Sequence, residues 1–300
     1  MRERYDQLLR EAQSAVATGD LTRAVGLFEQ AEALATESGH EDLADRALCS
    51  RCGVLIELDR ASELIPKLKQ VLLRSANTRN RFLAAYYAGM AYDLDDEADK
   101  AASYAERALA LAAELGEPEL TASAANLAGN LALRSSRFDE AQAAYSRAIA
   151  CHRGLDGFYR IMEAQENDNM GYVLMCTGRV REGLALCEEA RTCLEELEAD
   201  GYLHQTLQDL CYGYLLDDQP GRAEECGEKA LDLALDADDG LVVKNCLFLL
   251  SEIAVRRGDT FRARRYLRDL AAHYPEVALS EEIIDVFLMT DLTTVVNLRG

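Results

Sequence analysis

Cys49 and Cys52 stand three residues apart and are the nearest this sequence comes to a metal knuckle or a redox pair. Two thiolates supply half of a tetrahedral zinc site, and redox use would need an exposed thiol beside a cation or a helix N-terminus. The four histidines, His40, His152, His204 and His273, are spread along the chain near links and helix ends. No two share a helical metal-ligand spacing, so they are expected at the surface or as caps. Phosphate-cradling glycine loops, H-E-x-x-H and G-x-S-x-G are absent, and with 53 carboxylates any acidic pair arises by chance. The chain is therefore expected to be no enzyme and to carry no cofactor and no metal.

What remains is recognition chemistry, and composition bounds its partners. A formal net charge of -21 repels phosphate backbones and anionic lipid surfaces and favours a basic partner, so neither nucleic acid nor membrane is expected. The opening "MRERYDQLLREAQ" lacks the apolar core of a signal peptide. Nine cysteines, an odd number scattered through apolar helical positions, read as free buried thiols of a cytoplasmic protein. Only 4 Pro and 19 Gly interrupt a chain rich in Ala, Leu, Glu and Arg, which predicts an all-α fold.

The elements that would position a binding surface emerge as a repeat. Small or apolar residues open a helix at Ala24, Leu64, Ala101, Ala141, Gly183, Ala223 and Ala263, at intervals of 40, 37, 40, 42, 40 and 40. Further residues four and seven positions on, such as Tyr145 and Ala148, fall on the same helical stripe. Twelve residues upstream lies a mostly small set, Ala12, Cys52, Gly89, Gly129, Gly171, Cys211 and Ser251, whose small side chains allow close antiparallel packing. Between the sets come turn residues: Gly19-Asp20, Asp59, Asp96, Gly178, Asp218 and Gly258-Asp259. Each unit thus reads as a helix-turn-helix hairpin. The second is degenerate, with Pro66 just inside its second helix.

Stretches such as "NLAGNLALRSSRFDEAQAAYSRAIA" and "NMGYVLMCTGRVREGLALCEEA" resemble tetratricopeptide repeats, with Gly129, Phe138, Ala141, Tyr145 and Ala148 at the pattern's positions. The period of about 40 departs from the usual 34 and is similar in style to kinesin light chain and bacterial regulator sensor repeats. The resemblance implies a right-handed superhelical solenoid of about seven repeats over residues 1–279, closed by a capping helix and tail over 280–300. Ser280 would cap that helix, and Ile283, Ile284, Phe287 and Leu288 would cover the last exposed face. The β-branched "LTTVVNLRG" would either dock extended, in cis or on another chain as a route to a homo-oligomer, or fray.

In that architecture the first helix of each pair lines a concave wall. The inward positions not needed for packing carry Tyr86 and Met90, Asn126 and Asn130, Gln165, Asp168 and Tyr172, Gln205, Gln208 and Tyr212, and Asn245, Phe248 and Glu252. Amides donate and accept, so a ladder of them can hydrogen-bond the backbone of an extended ligand, while tyrosines add contact area at low entropic cost. The same residues could instead bond between adjacent helices. Arg256, Arg257, Arg262, Arg264, Arg265 and Arg268 form the one basic cluster, read either as a solvated salt-bridged face or as a docking patch for an acidic partner. The expected function is a non-catalytic adapter or scaffold holding a partner peptide or protein with a basic or extended segment, within a regulatory assembly. The alternative is a sensor that binds a short peptide or small effector and controls a separate protein.

Overall fold

In the computed structural model the described residues are all except 154–156, 275–280, 291–292, 294–295 and 300, together with the side chains of 281–283. Helices α1 (Arg2–Ala17), α2 (Leu21–Glu37), α3 (Glu41–Glu57), α4 (Ile65–Arg74), α5 (Thr78–Leu94), α6 (Ala98–Leu115) and α7 (Pro118–Arg134) make up a first compact unit, Met1–Ser135. A second, Ser136–Gly300, holds α8 (Phe138–His152), α9 (Phe158–Cys176), α10 (Val180–Glu196), α11 (Asp200–Leu216), α12 (Pro220–Asp236), α13 (Gly240–Arg256), α14 (Thr260–Ala272) and α15 (Glu281–Met289). The described residues contain no strand.

Every turn named from the sequence reverses the chain through a left-handed residue. Gly19, Asp59, Asp96, Gly178, Asp218 and Gly258 have φ between 54° and 84°. The N–H three residues past the end of α1, on Asp20, then returns to Ala15 O at 2.9 Å, satisfying a carbonyl the helix leaves open. Asp20 and Asp259 in turn accept the amides of Arg23 and Arg262, capping the next helix. At Pro66 the expected irregularity is a short 3-10 turn, Ala61–Leu64, that delays the second helix so that α4 runs only ten residues.

Small residues sit where paired helices touch. A Cβ added to Gly171 would stand 2.5 Å from Cys187 Sγ and 2.7 Å from Gly183 O, so α9 and α10 meet backbone to backbone. The anchors Ala24, Ala101, Ala141, Ala223 and Ala263 are fully buried. In the first unit the core runs from Leu48 and Phe82 through Ala88 to Leu131.

Two expectations need correction. His152 and His204 are not surface groups: both are buried, their rings 3.1 Å from Glu166 and Asp239, because they lie on helix faces turned toward a neighbouring pair. Only part of the thiols are buried, Cys49, Cys52, Cys187, Cys211 and Cys246; Cys151, Cys176, Cys193 and Cys226 are half-exposed, and all nine are free. Burial pushes the Cys52 thiol up to about 12, and Cys49 is also raised, so both favour the protonated form. Ser280 and the Ile283 side chain lie outside the described residues; of the other capping-helix residues, Ile284 is buried and Phe287 and Leu288 are half-buried.

Candidate binding groove

The residues expected to line an inner wall are divided between the two units. In the first, Tyr86 and Met90 lie half-buried on α5, and Asn126 and Asn130 half-buried on α7. Tyr86 stacks on Phe82 with centroids 5.9 Å apart and meets Tyr87 edge-on at 5.3 Å. Asn126 Oδ1 is buried without a hydrogen-bond partner.

In the second unit α9, α11 and α13 are successive neighbours. Gln165, Asp168 and Tyr172 project from α9, Gln205, Gln208 and Tyr212 from α11, Asn245, Phe248 and Glu252 from α13. Gln165, Gln205 and Asn245 are half-buried, whereas Asp168, Tyr172, Gln208, Tyr212, Phe248 and Glu252 are buried at 7% exposure or less. Several of these positions are not free of packing duty: Tyr212 lies against Tyr172 with ring centroids 5.5 Å apart, Gln208 bonds to Asn245, and residues 297–299 bond to Tyr172, Asn245 and Asp168.

The segment 296–299 is held by its backbone and by its side chains. Leu298 N donates to Tyr172 Oη at 2.8 Å, and Tyr172 Oη donates to Asn297 Oδ1 at 3.2 Å. Asn245 Nδ2 donates to Leu298 O at 2.8 Å and to Gln208 Oε1 at 3.0 Å, so one amide ties the segment to two helices. Asn297 Nδ2 donates to Ser136 Oγ at 3.1 Å, and upstream Arg256 Nη2 donates to the buried Thr293 hydroxyl at 3.3 Å. Beyond Leu298 the Arg299 guanidinium lies 5.6 Å from the Tyr172 ring centroid, pairs with Asp209 and reaches Asp168 Oδ2 at 3.4 Å.

Asp168 and Asp209 are 1% and 0% exposed. Burial raises both carboxyls; their mutual repulsion adds to the shift of Asp168, and Arg299 opposes it. The cation that favours their ionised form comes from the segment. Beside it lies a cavity of about 270 Å³ walled by Phe248, Leu270, Tyr274 and Phe287, with Val296 and Leu298 along its edge.

Asp209, Asn297 and Arg299 were not singled out by sequence reasoning. No local signal marks Asp209: two positions before the small residue of the other first helices stand Arg10, Ser50, Tyr87, Leu127, Asn169 and Leu249, so a polar residue there is ordinary.

The basic cluster is engaged within its own unit. Arg257 and Arg262 pair with Glu224, Arg262 also with Glu228 at 2.8 Å, and Arg264 with Asp285. Arg256 Nη1 donates to Leu215 O at 2.7 Å, Arg265 lies 5.0 Å from the Tyr266 ring centroid, and Arg268 likewise has an interaction partner. Among the described residues there is no cluster of His, Cys, Asp and Glu suited to a metal, and no helix is long and apolar enough to cross a membrane.

Repeated antiparallel hairpins closed by left-handed turns and packed through small residues are the fold of tetratricopeptide-type repeat proteins, and comparison with solved structures shows that fold here. Apo RapI superposes with a TM-score of 0.68 at 12% identity, over 98% of this chain and 85% of its own. A Rap protein complexed with Competence and Sporulation Factor gives 0.71 at 12% identity, over 96% and 80%. The tetratricopeptide repeat sensor of a signal-transduction ATPase with numerous domains from Pyrococcus horikoshii gives 0.67 at 15% identity; the match covers 94% of this chain and 43% of that one. No family model and no curated protein sequence matches the chain.

Proposed function

We propose that this chain is a non-catalytic adapter that holds an extended segment of a partner protein or peptide along its inner walls, as part of a cytoplasmic regulatory assembly. The observation that carries the reading is the capture of a peptide backbone by wall side chains: Tyr172 accepts the Leu298 N–H and Asn245 donates to the Leu298 carbonyl. Contacts to main-chain atoms are indifferent to the side chain that follows, so the wall can grip an extended segment of varied sequence. Tyr86, Met90, Asn126 and Asn130 in the first unit and Gln165, Asp168, Tyr172, Gln205, Gln208, Tyr212, Asn245 and Phe248 in the second are the residues assigned to that grip. The negative surface favours partners with basic segments.

A sensor role is the second reading, supported by the likeness to a repeat sensor and to a Rap protein bound to Competence and Sporulation Factor. Affinity capture with the full chain tests the adapter. Replacing Asn126, Asn130 and Gln165 together by Ala should abolish partner recovery with helicity unchanged, and undiminished recovery would reject the groove. A melting temperature raised by a small-molecule fraction, and by no protein, would favour the sensor.

A further inference from the structure

Two buried carboxyl groups on neighbouring helices, Asp168 and Asp209, face the same guanidinium, and a cation favours their ionised form where burial opposes it. Here the cation comes from 90 residues away in sequence, on a segment that is otherwise tied by a few polar side chains and flanked by an unfilled cavity. Asp168 Oδ1 remains without a hydrogen-bond partner although its side chain is 2% exposed, and Arg299 Nε is likewise unpaired. What sets Arg299 apart from the ion pairs between hairpins is its place on a segment outside them, held by a few side chains beside a cavity.

We propose that Asp168, Asp209, Tyr172 and Asn245 form a subsite for an extended peptide carrying an aliphatic residue followed by arginine, and that residues 296–299 fill it in cis, so that an incoming segment binds only by displacing them. The inference rests on the binding reading above and deepens it by naming the ligand chemistry and the competition that regulates it. The division of labour follows from geometry. One guanidinium nitrogen, Nη2, reaches both acids while the planar group lies near the Tyr172 ring, a contact that favours arginine over lysine. Tyr172 and Asn245 take the N–H and C=O of the residue before it, fixing the peptide's register. Phe248, Leu270, Tyr274 and Phe287 receive the aliphatic side chain and leave room beside it. A tethered occupant competes as though present at about millimolar concentration, so a free peptide of modest affinity is held off until its concentration or its fit exceeds that of the resident segment.

The test uses the full chain and a fluorescein-labelled synthetic peptide of residues 292–300, amidated at its C-terminus, read by anisotropy. The wild-type chain should bind it weakly. Arg299→Ala, which loosens the resident segment and leaves the wall intact, should bind it at least about tenfold tighter, since a tethered competitor has been weakened. Adding Asp209→Asn to Arg299→Ala should remove that gain. Tyr172→Phe serves as a second wall variant that keeps shape and packing, and circular dichroism checks the fold of each. Peptides with Arg299→Ala, Arg299→Lys or Leu298→Asp should bind Arg299→Ala protein at least about tenfold more weakly than the parent peptide.

Equal affinity of wild type and Arg299→Ala would overturn the cis competition. Undiminished binding by both wall variants, or indifference to Arg299→Lys in the peptide, would overturn the subsite. A wild-type dimer that dissociates in Arg299→Ala would place the segment on a second copy and also overturn it. The two levels of inference part cleanly. If Arg299→Ala fails to gain affinity while partner capture still depends on Gln165 and Asn126, this inference falls and the adapter stands; if peptide binding behaves as expected while capture ignores those residues, the subsite stands and the adapter falls.

Discussion

The two units are built from the same hairpin and use buried polarity differently. In the first, Asp45, Arg51 and Asn80 are the buried polar side chains, and each is answered by a neighbouring helix or the helix end beside it: Arg51 meets Glu29 and Glu32 at 2.8 Å, Arg74 meets Asp45 at 2.7 Å, and Asn80 donates to Asp42 O at 2.9 Å. In the second, Glu166, Asp168, Gln208, Asp209 and Glu252 gather on three successive first helices, and part of their complement comes from a segment outside the hairpins. A polar group answered by the next helix fixes helix packing. Asp168 and Asp209 instead meet a side chain carried on a segment outside the hairpins, Arg299.

The contrast can be broken first at its backbone contacts. Gly171→Val in the second unit drives a side chain into Cys187 and the Gly183 carbonyl, and should destabilise by about 3 kcal/mol or more, by urea unfolding. Gly89→Ala in the first meets Leu127 Cδ2 at 3.2 Å, a side-chain end that can yield, and should destabilise by about 1 kcal/mol. Equal effects would mean that the two walls are packed alike.

Next come the buried charges. Asp209→Ala strips Arg299 of its nearer partner and should lower stability by about 3 kcal/mol, within the range for breaking a buried pair. Arg74→Ala in the first unit leaves Asp45 without a cation that is itself half exposed, and about 1 kcal/mol is expected. Denaturant midpoints at constant slope decide between them.

Acidity separates the units further. Burial, with Glu163 adding repulsion, raises Glu166 from its ordinary carboxylate range to about 8, and Asp168 is raised by burial and by Asp209. Raised in this way, the groups bind protons more tightly in the folded than in the unfolded chain, so their contribution is complete below the ordinary carboxylate range near pH 4 and is lost steadily as pH rises toward 8. In the first unit the groups raised by burial include Cys49, Cys52 and Tyr87, whose contribution declines only above the ordinary thiol range near pH 9. Thermal melts from pH 5 to 8 should show the second unit weakening; a rise over that interval would contradict the assignment. Smallest of all, replacing the arginine by Ala in the exposed pairs Arg60 with Glu63 and Arg179 with Glu182 should leave the urea midpoint unchanged.

The hairpins were legible because a turn needs Gly or Asp where φ is positive, and close helices need small residues at a fixed offset; both are local demands written at regular intervals. The division at residue 135 was not, since it depends on which helices touch and not on the spacing of any motif. On the wall, Tyr172, Gln208 and Asn245 stood out as polar or aromatic side chains on an inward stripe. The pairing of Asp209 with Arg299 spans 90 residues, and nothing local in "QDLCYGYLL" or "VVNLRG" announces it. Both buried histidines escaped for the same reason: their carboxylates sit 14 and 35 residues away.

Amide hydrogen exchange at Leu298 in the full-length chain tests the central claim most directly. An N–H held at 2.8 Å by Tyr172 Oη should exchange at least about tenfold more slowly than in the free peptide, and Tyr172→Phe should restore the fast rate. Exchange at the free-peptide rate in the wild-type chain would mean that the wall of the second unit does not grip extended backbone.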